Sequence, residues 1–266
     1  MIRRFVRHDC GVDSKYNPKS GEFDVIARMP DPPPIIGLLI GDCVHNLRSA
    51  LDHIVYALIA TNPLRGGAPP SDKAMFPICS GRTEYRRQTD KLKRLDGIPD
   101  AVAALIETLQ PYHTREKGRD YTRHPLWVLN KLDNIDKHRR LTLAAGVARH
   151  AHVSIRYRDG GESDVMLLQD MIYDRAILWS YPPASDGSEV QMNGGLMIYV
   201  ALKEADELRS LLNEDIAVVL TQIIDYVGNI LLPRFRRLAT GHMPAPKRRR
   251  RRQDKRPKLR GKPTGL

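Results

Sequence analysis

The sequence predicts an α+β fold: a helical bundle with an inserted antiparallel β meander and a disordered basic C-terminal tail. Three observations predict it. Apolar residues recur at helical spacing over 35–60, 123–139 and 204–238. Between residues 141 and 202 the period shortens to brief, partly alternating runs divided by Gly, Pro, Asp and Ser. Residues 247–262 ("KRRRRRQDKRPKLRGK") hold 11 Lys or Arg against one Asp. The chain of 266 residues has a formal net charge of +12, and outside that segment 32 bases face 30 acids. The body is nearly neutral and the tail makes the protein basic. Residues 1–240 are expected to form one α+β domain and 241–266 the tail.

Each element has its own signal. "FDVIARM" (23–29) is expected to be a strand. "PDPPP" then announces a helix, with Asp31 as its cap and proline in a first turn where the missing N–H costs nothing. That helix runs from about Ile35 to Ala60 and stops at "TNPLRGGAPP". Residues 83–95 make a charged amphipathic helix, and "PDAVAALIETLQPY" a shorter one ending before Pro111. Leu126, Leu129, Leu132 and Ile135 place the next helix over 123–139. From Leu141 onward "LTLAAGV", "HVSIRYR", "DVMLLQ", "AILWSY" and "LMIYVAL" are the strands, with "NGG" (193–195) a hairpin turn. The last helix spans 204–238, and Pro233 is expected to kink it.

Composition narrows the function. Cys10, Cys43 and Cys79 are odd in number and far apart, which argues against a disulfide framework or a zinc knuckle. The N-terminus has no apolar run behind its charges, and "IAVVLTQIIDYVGNILL" is interrupted by Gln222, Asp225 and Asn229. A cytoplasmic protein without a transmembrane segment is expected. There is no phosphate-binding glycine loop, no G-x-S-x-G elbow and no H-E-x-x-H, so no cofactor is expected.

The chemistry concentrates in "GDCVHNLRSALDHIVYALI", residues 41–59. Leu47, Leu51, Ile54 and Leu58 share one stripe of that helix, whereas His45, Arg48, Ser49 and Asp52 lie at i, i+3, i+4 and i+7 on another. Asn46 and His53 stand beside them. Apolar residues flank the polar stripe, so a partner is expected to cover it. The helix "LNKLDNIDKHR" offers Asp133, Asp136 and His138. Arg48 is therefore expected within hydrogen-bonding reach of Asp133 or Asp136, with His45 or Asp52 in the same cluster, because an unpaired buried guanidinium is costly. A fold-specifying polar network is one reading. A helix-bundle metal site built from His45, Asp52 or His53 with Asp133, Asp136 or His138 is another. Both stripes lack the glutamates that dominate such sites, and no metal is expected.

"RSALDH" resembles the R-x4-6-H motif of the HEPN superfamily of helical proteins, many of them metal-independent endoribonucleases. The resemblance assigns Arg48 and His53 as catalytic residues. It implies RNA cleavage by the 2′-hydroxyl, with His53 handling the proton and Arg48 stabilising the phosphate charge. It also implies a homodimer that brings two motifs together, and Ser49 stands where that superfamily usually has Asn, Asp or His. Over a longer span, "GDCVHNLRSALDH", "LQPY" and "LDNIDKHR" are similar to a recurring set in bacterial proteins of unassigned activity.

The tail residues Lys247, Arg248, Arg249, Arg250, Arg251 and Arg252 are expected to bind nucleic acid, RNA favoured, through sequence-blind phosphate contacts. The segment has no aromatics with which to stack on bases. The expected function is therefore a nucleic-acid-associated protein with HEPN-like ribonuclease chemistry. The alternatives are a non-catalytic RNA- or DNA-binding protein tethered by its tail, or a metal-binding protein.

Overall fold

A computed structural model of the chain describes residues 1–138, 141, 143–147, 151–156, 162–167, 174–182, 191–195, 198–203, 208, 211 and 214–239. The tail with Lys247–Arg252 lies outside them, as does most of 204–213. Helices and antiparallel strands are mixed along the chain, as an α+β protein requires.

A short helix α1 (Ile2–His8) precedes the hairpin β1 (Gly11–Asn17) and β2 (Glu22–Arg28), which pair from Gly11↔Arg28 to Asn17↔Glu22. Of these three only β2 is expected from the sequence. The long helix α2 (Pro34–Ala60) follows. Asp31 does not cap it: the N-cap is Pro33, and Asp31 faces Lys203 at 3.5 Å. Pro34 brings no N–H to the first turn, and the helix begins without a side-chain cap.

The helix expected over 83–95 is shorter. α3 (Arg82–Arg86) widens into a π turn (Arg87–Lys91) and stops where Lys93 takes a positive φ of 56°. Next come α4 (Asp100–Thr108), α5 (Tyr112–Glu116) and α6 (Pro125–His138). His124 starts α6, its Nδ1 accepting from the Leu126 N–H at 3.2 Å.

The strands β3 (Leu143–Val147), β4 (Ala151–Arg156), β5 (Glu162–Leu167), β6 (Ile177–Tyr181), β7 (Gln191–Gly195) and β8 (Ile198–Leu202) do not form one meander. They divide into three antiparallel groups, β1-β2-β6, β3-β8 and β5-β4-β7. Among the described residues, consecutive strands of this region pair only in β4-β5. β6 leaves for the N-terminal hairpin, where Phe23 stacks on Tyr181 at 5.5 Å and Ser180 Oγ donates to the buried Asp24 at 2.6 Å. "NGG" is not a turn: its residues end β7 and pair with Ser154, Val153 and His152 of β4.

The last helix begins at Ile216 rather than at 204, because Asp215 caps it with a side-chain acceptor for the Ala217 N–H at 2.9 Å. It continues as α7 (Ile216–Asp225), a π turn (Tyr226–Leu231) and α8 (Leu232–Ala239). Pro233 cannot donate to the turn before it, and the widened π turn ahead of it absorbs that mismatch. α2 packs on α6, α6 on α7, and α4 on α8. One contiguous hydrophobic core joins them, reaching from Phe5 in α1 through Val44, Phe76 and Leu129 to Phe235 in α8.

Candidate functional site

The buried stripe of α2 is Ile36, Ile40, Val44, Arg48, Leu51, Val55 and Ile59, at spacings of three and four. Arg48 thus occupies a core position, 6% exposed, and Leu47, Ile54 and Leu58 flank that stripe, only partly buried. The reason lies in a segment with no regular structure. Phe76–Cys79 ("FPIC") is buried throughout yet lies in neither helix nor strand, so its peptide groups need side-chain partners. Arg48 Nη2 donates to the Phe76 carbonyl at 2.9 Å, and Asp52 Oδ1 accepts from the Phe76 N–H at 2.8 Å. The two side chains are locked together by Arg48 Nη1–Asp52 Oδ1 at 2.6 Å. From the end of α4, Gln110 Nε2 donates to the Pro77 carbonyl at 2.9 Å, and its Oε1 accepts from the Cys79 N–H at 3.0 Å. The flanks are held as well, Met75 N–H by the Arg94 carbonyl and Ser80 N–H by Glu84, both at 3.2 Å. An arginine and a carboxylate on a core helix here do what a neighbouring strand would do.

The expected pairing of Arg48 with Asp133 or Asp136 is therefore not found. Asp52 lies one turn along the same helix, within reach at i+4, and the Phe76 carbonyl takes a second of its N–H donors. Asp52 does join Arg48 in one cluster, whereas His45 belongs to a second.

That second cluster joins α2 to α6. Asp133, with its side chain 2% exposed, meets His45 Nδ1 at 3.3 Å and Lys137 Nζ at 2.6 Å. His45 and Lys137 remain half exposed or more. One turn away Gly41 has no Cβ, and the Asp136 carboxylate lies against α2 in the space a side chain there would fill. Burial, followed by the charges of Asp133 and Asp42, pushes the Asp136 carboxyl upward, with His45 opposing. The cluster orients an accessible imidazole by a buried carboxylate, an arrangement that can hold or pass a proton. It also neutralises a carboxylate that would otherwise be stranded between two helices.

The remaining candidates disperse. Asn46 and His53 are exposed, Ser49 is half-buried, and His138 is exposed at the end of α6. Arg48 is buried and His53 exposed, so α2 places the two in different surroundings. Lys247–Arg252 lie outside the described residues. Among the described residues no three His, Cys, Asp or Glu side chains are grouped as a metal site requires.

Sequence reasoning missed Gln110 and the segment it holds. The signal was present in "LQPY", whose glutamine follows an apolar helix, and in "MFPIC", an apolar run too short and too proline-bearing for either regular element. Comparison with known proteins gives no match: no family model, no curated protein and no solved structure matches this chain.

Proposed function

We propose that the chain is a nucleic-acid-associated protein, with RNA its first target, that binds through Lys247–Arg252 while Arg48 and Asp52 serve the fold. The observation that carries this reading is the charge division. Eleven bases crowd into residues 247–262 of a chain whose other charges nearly cancel. In this reading residues 1–240 are one domain whose helices pack as a bundle. Ile216–Leu238 is long and apolar enough to cross a membrane by length and composition; here it belongs to the bundle, and the protein acts in the cytoplasm without a cofactor. Six phosphate contacts, one for each base of Lys247–Arg252, would give a salt slope near −4 on a single strand. Affinity of the full chain for labelled single-stranded RNA should then fall by about 10²–10³ between 50 and 200 mM salt. Binding that ignores salt would overturn the reading.

A second reading keeps the RNA and adds HEPN-like cleavage in a homodimer. Its support is His53, exposed on α2, a helix that also exposes Ile35, Leu38, Leu39 and Tyr56 for a second copy to cover. The same RNA incubated with protein in EDTA separates the two. Intact RNA supports the binder, and 2′,3′-cyclic phosphate ends lost in His53→Ala support the nuclease.

A further inference from the structure

A cleft of about 640 Å³ opens between the α3 π turn and α4, lined among others by Asp90, Asp96, Asp100, Glu107, Lys93 and Tyr85. Four carboxylates and a single lysine make it the opposite of the chain's overall charge. None of the four has an ion-pair partner among the described residues: Asp90 accepts from the Thr89 hydroxyl and Glu107 from that of Tyr112, neither of which carries charge. Asp90, Asp96 and Asp100 are exposed and Glu107 is half-buried, so all are available to a ligand. A cleft lined by four carboxylates and one lysine favours a cationic ligand.

We propose that this cleft docks the basic segment 247–262 of the same chain. Charge complementarity is the first argument: the segment carries 11 bases and one acid. Where the chain leads is the second. α8 packs against α4, the helix that forms one wall of the cleft, with Phe235 set edge-on against Phe76 at 6.4 Å. α8 ends at Ala239, so the chain leaves the described residues from a helix that packs on the one carrying Asp100 and Glu107. Seven residues lie between Ala239 and Lys247, which makes eight Cα–Cα steps. Extended, they span at most about 27 Å, about twice the roughly 14 Å length of the nine-residue α4. A short tether also gives the segment a high effective concentration at the cleft, favouring its own chain over a second copy. The docked segment is held back from other polyanions, and a nucleic acid must displace it. This docking requires no nucleic acid, and it stands or falls separately from RNA binding.

The test uses the full chain. At low salt a carbodiimide should couple Lys247, Lys255, Lys258 or Lys262 to Asp90, Asp96, Asp100 or Glu107, within a single chain when isotopically light and heavy protein are mixed. Trypsin should cut the segment severalfold more slowly in the wild type than in Asp90→Asn/Asp96→Asn/Asp100→Asn. These exposed substitutions leave the melting temperature close to that of the wild type, and the difference in cutting should vanish at 1 M salt, where charges are screened within about 3 Å. Couplings spread over surface carboxylates without preference, couplings between chains, or equal cutting of the two proteins at low salt would each overturn the proposal.

Discussion

Truncating either half of the Arg48–Asp52 pair should destabilise the protein unequally, and the inequality follows from burial. Arg48→Ala strands the Phe76 carbonyl, a loss of about 1–3 kcal/mol for an unsatisfied buried acceptor, and removes a buried aliphatic stem worth about 1 kcal/mol more. Asp52 is left behind, but its side chain is 30% exposed and still accepts from the Phe76 N–H, so water can serve its charge. The expected cost is about 3 kcal/mol, a fall in melting temperature of roughly 6–12 °C for a chain of this size. Asp52→Ala is worse. It leaves a guanidinium 8% exposed with no counter-charge, and breaking a buried pair that way costs about 3–5 kcal/mol, with the Phe76 N–H orphaned as well. The double variant removes the stranded charge, so its cost should fall short of the sum of the singles by about 2–3 kcal/mol. Urea unfolding at constant slope measures all three. Arg48→Ala proving costlier than Asp52→Ala, or strict additivity, would refute the clasp as the reason for both residues.

Two further outcomes are expected. Burial against Tyr226, whose ring lies 5.0 Å away edge-on, pushes the His124 imidazole down from 6.5 to about 4. A base depressed in the folded state lets the unfolded chain take up the proton first. Stability is therefore full above about pH 6.5 and drains by about 2–3 kcal/mol as the pH falls toward 4. His124→Asn, which can still accept from Leu126, should lack that part of the slope in urea midpoints taken across the range; parallel profiles would refute it. Of the three free cysteines Cys43 is exposed, whereas burial pushes the Cys10 and Cys79 thiols up to about 11 and about 12. A neutral disulfide reagent should titrate one thiol in the native protein and three in urea, and rapid reaction of Cys79 in the native state would contradict its burial.

Local signals were legible, and partners were not. The period of α2, the punctuation after Ala60 and the leucines of α6 mark their helices because each rests on spacing within one segment. "NGG" failed because a strand end and a hairpin turn share the same residues, and only the pairing of β7 with β4 decides between them. Arg48 shows the limit most clearly. Its flanking apolar residues announce burial correctly, but a helix has several faces, and the sequence offered distant aspartates as partners when the nearest lay on the next turn. The carbonyl of an irregular peptide leaves no trace in the residue type that carries it. Gln110 was visible only as a letter in "LQPY", because its role depends on where "FPIC" runs.

The grip on Phe76–Cys79 also orders events in time. Its holders stand 24, 28 and 31 to 33 residues away along the chain. The grip is complete only once α2 and the end of α4 have both met the peptide. Helical turns form within about a microsecond, while contacts across such separations wait for loops to close. The peptide is thus seated late, after the elements around it. Once seated, it opens only by giving up its bonds to Arg48, Asp52 and Gln110 together with the burial of Phe76–Cys79. The amides of Phe76 and Cys79 should accordingly exchange with solvent only when the whole core opens, as slowly as those at the centre of a long helix.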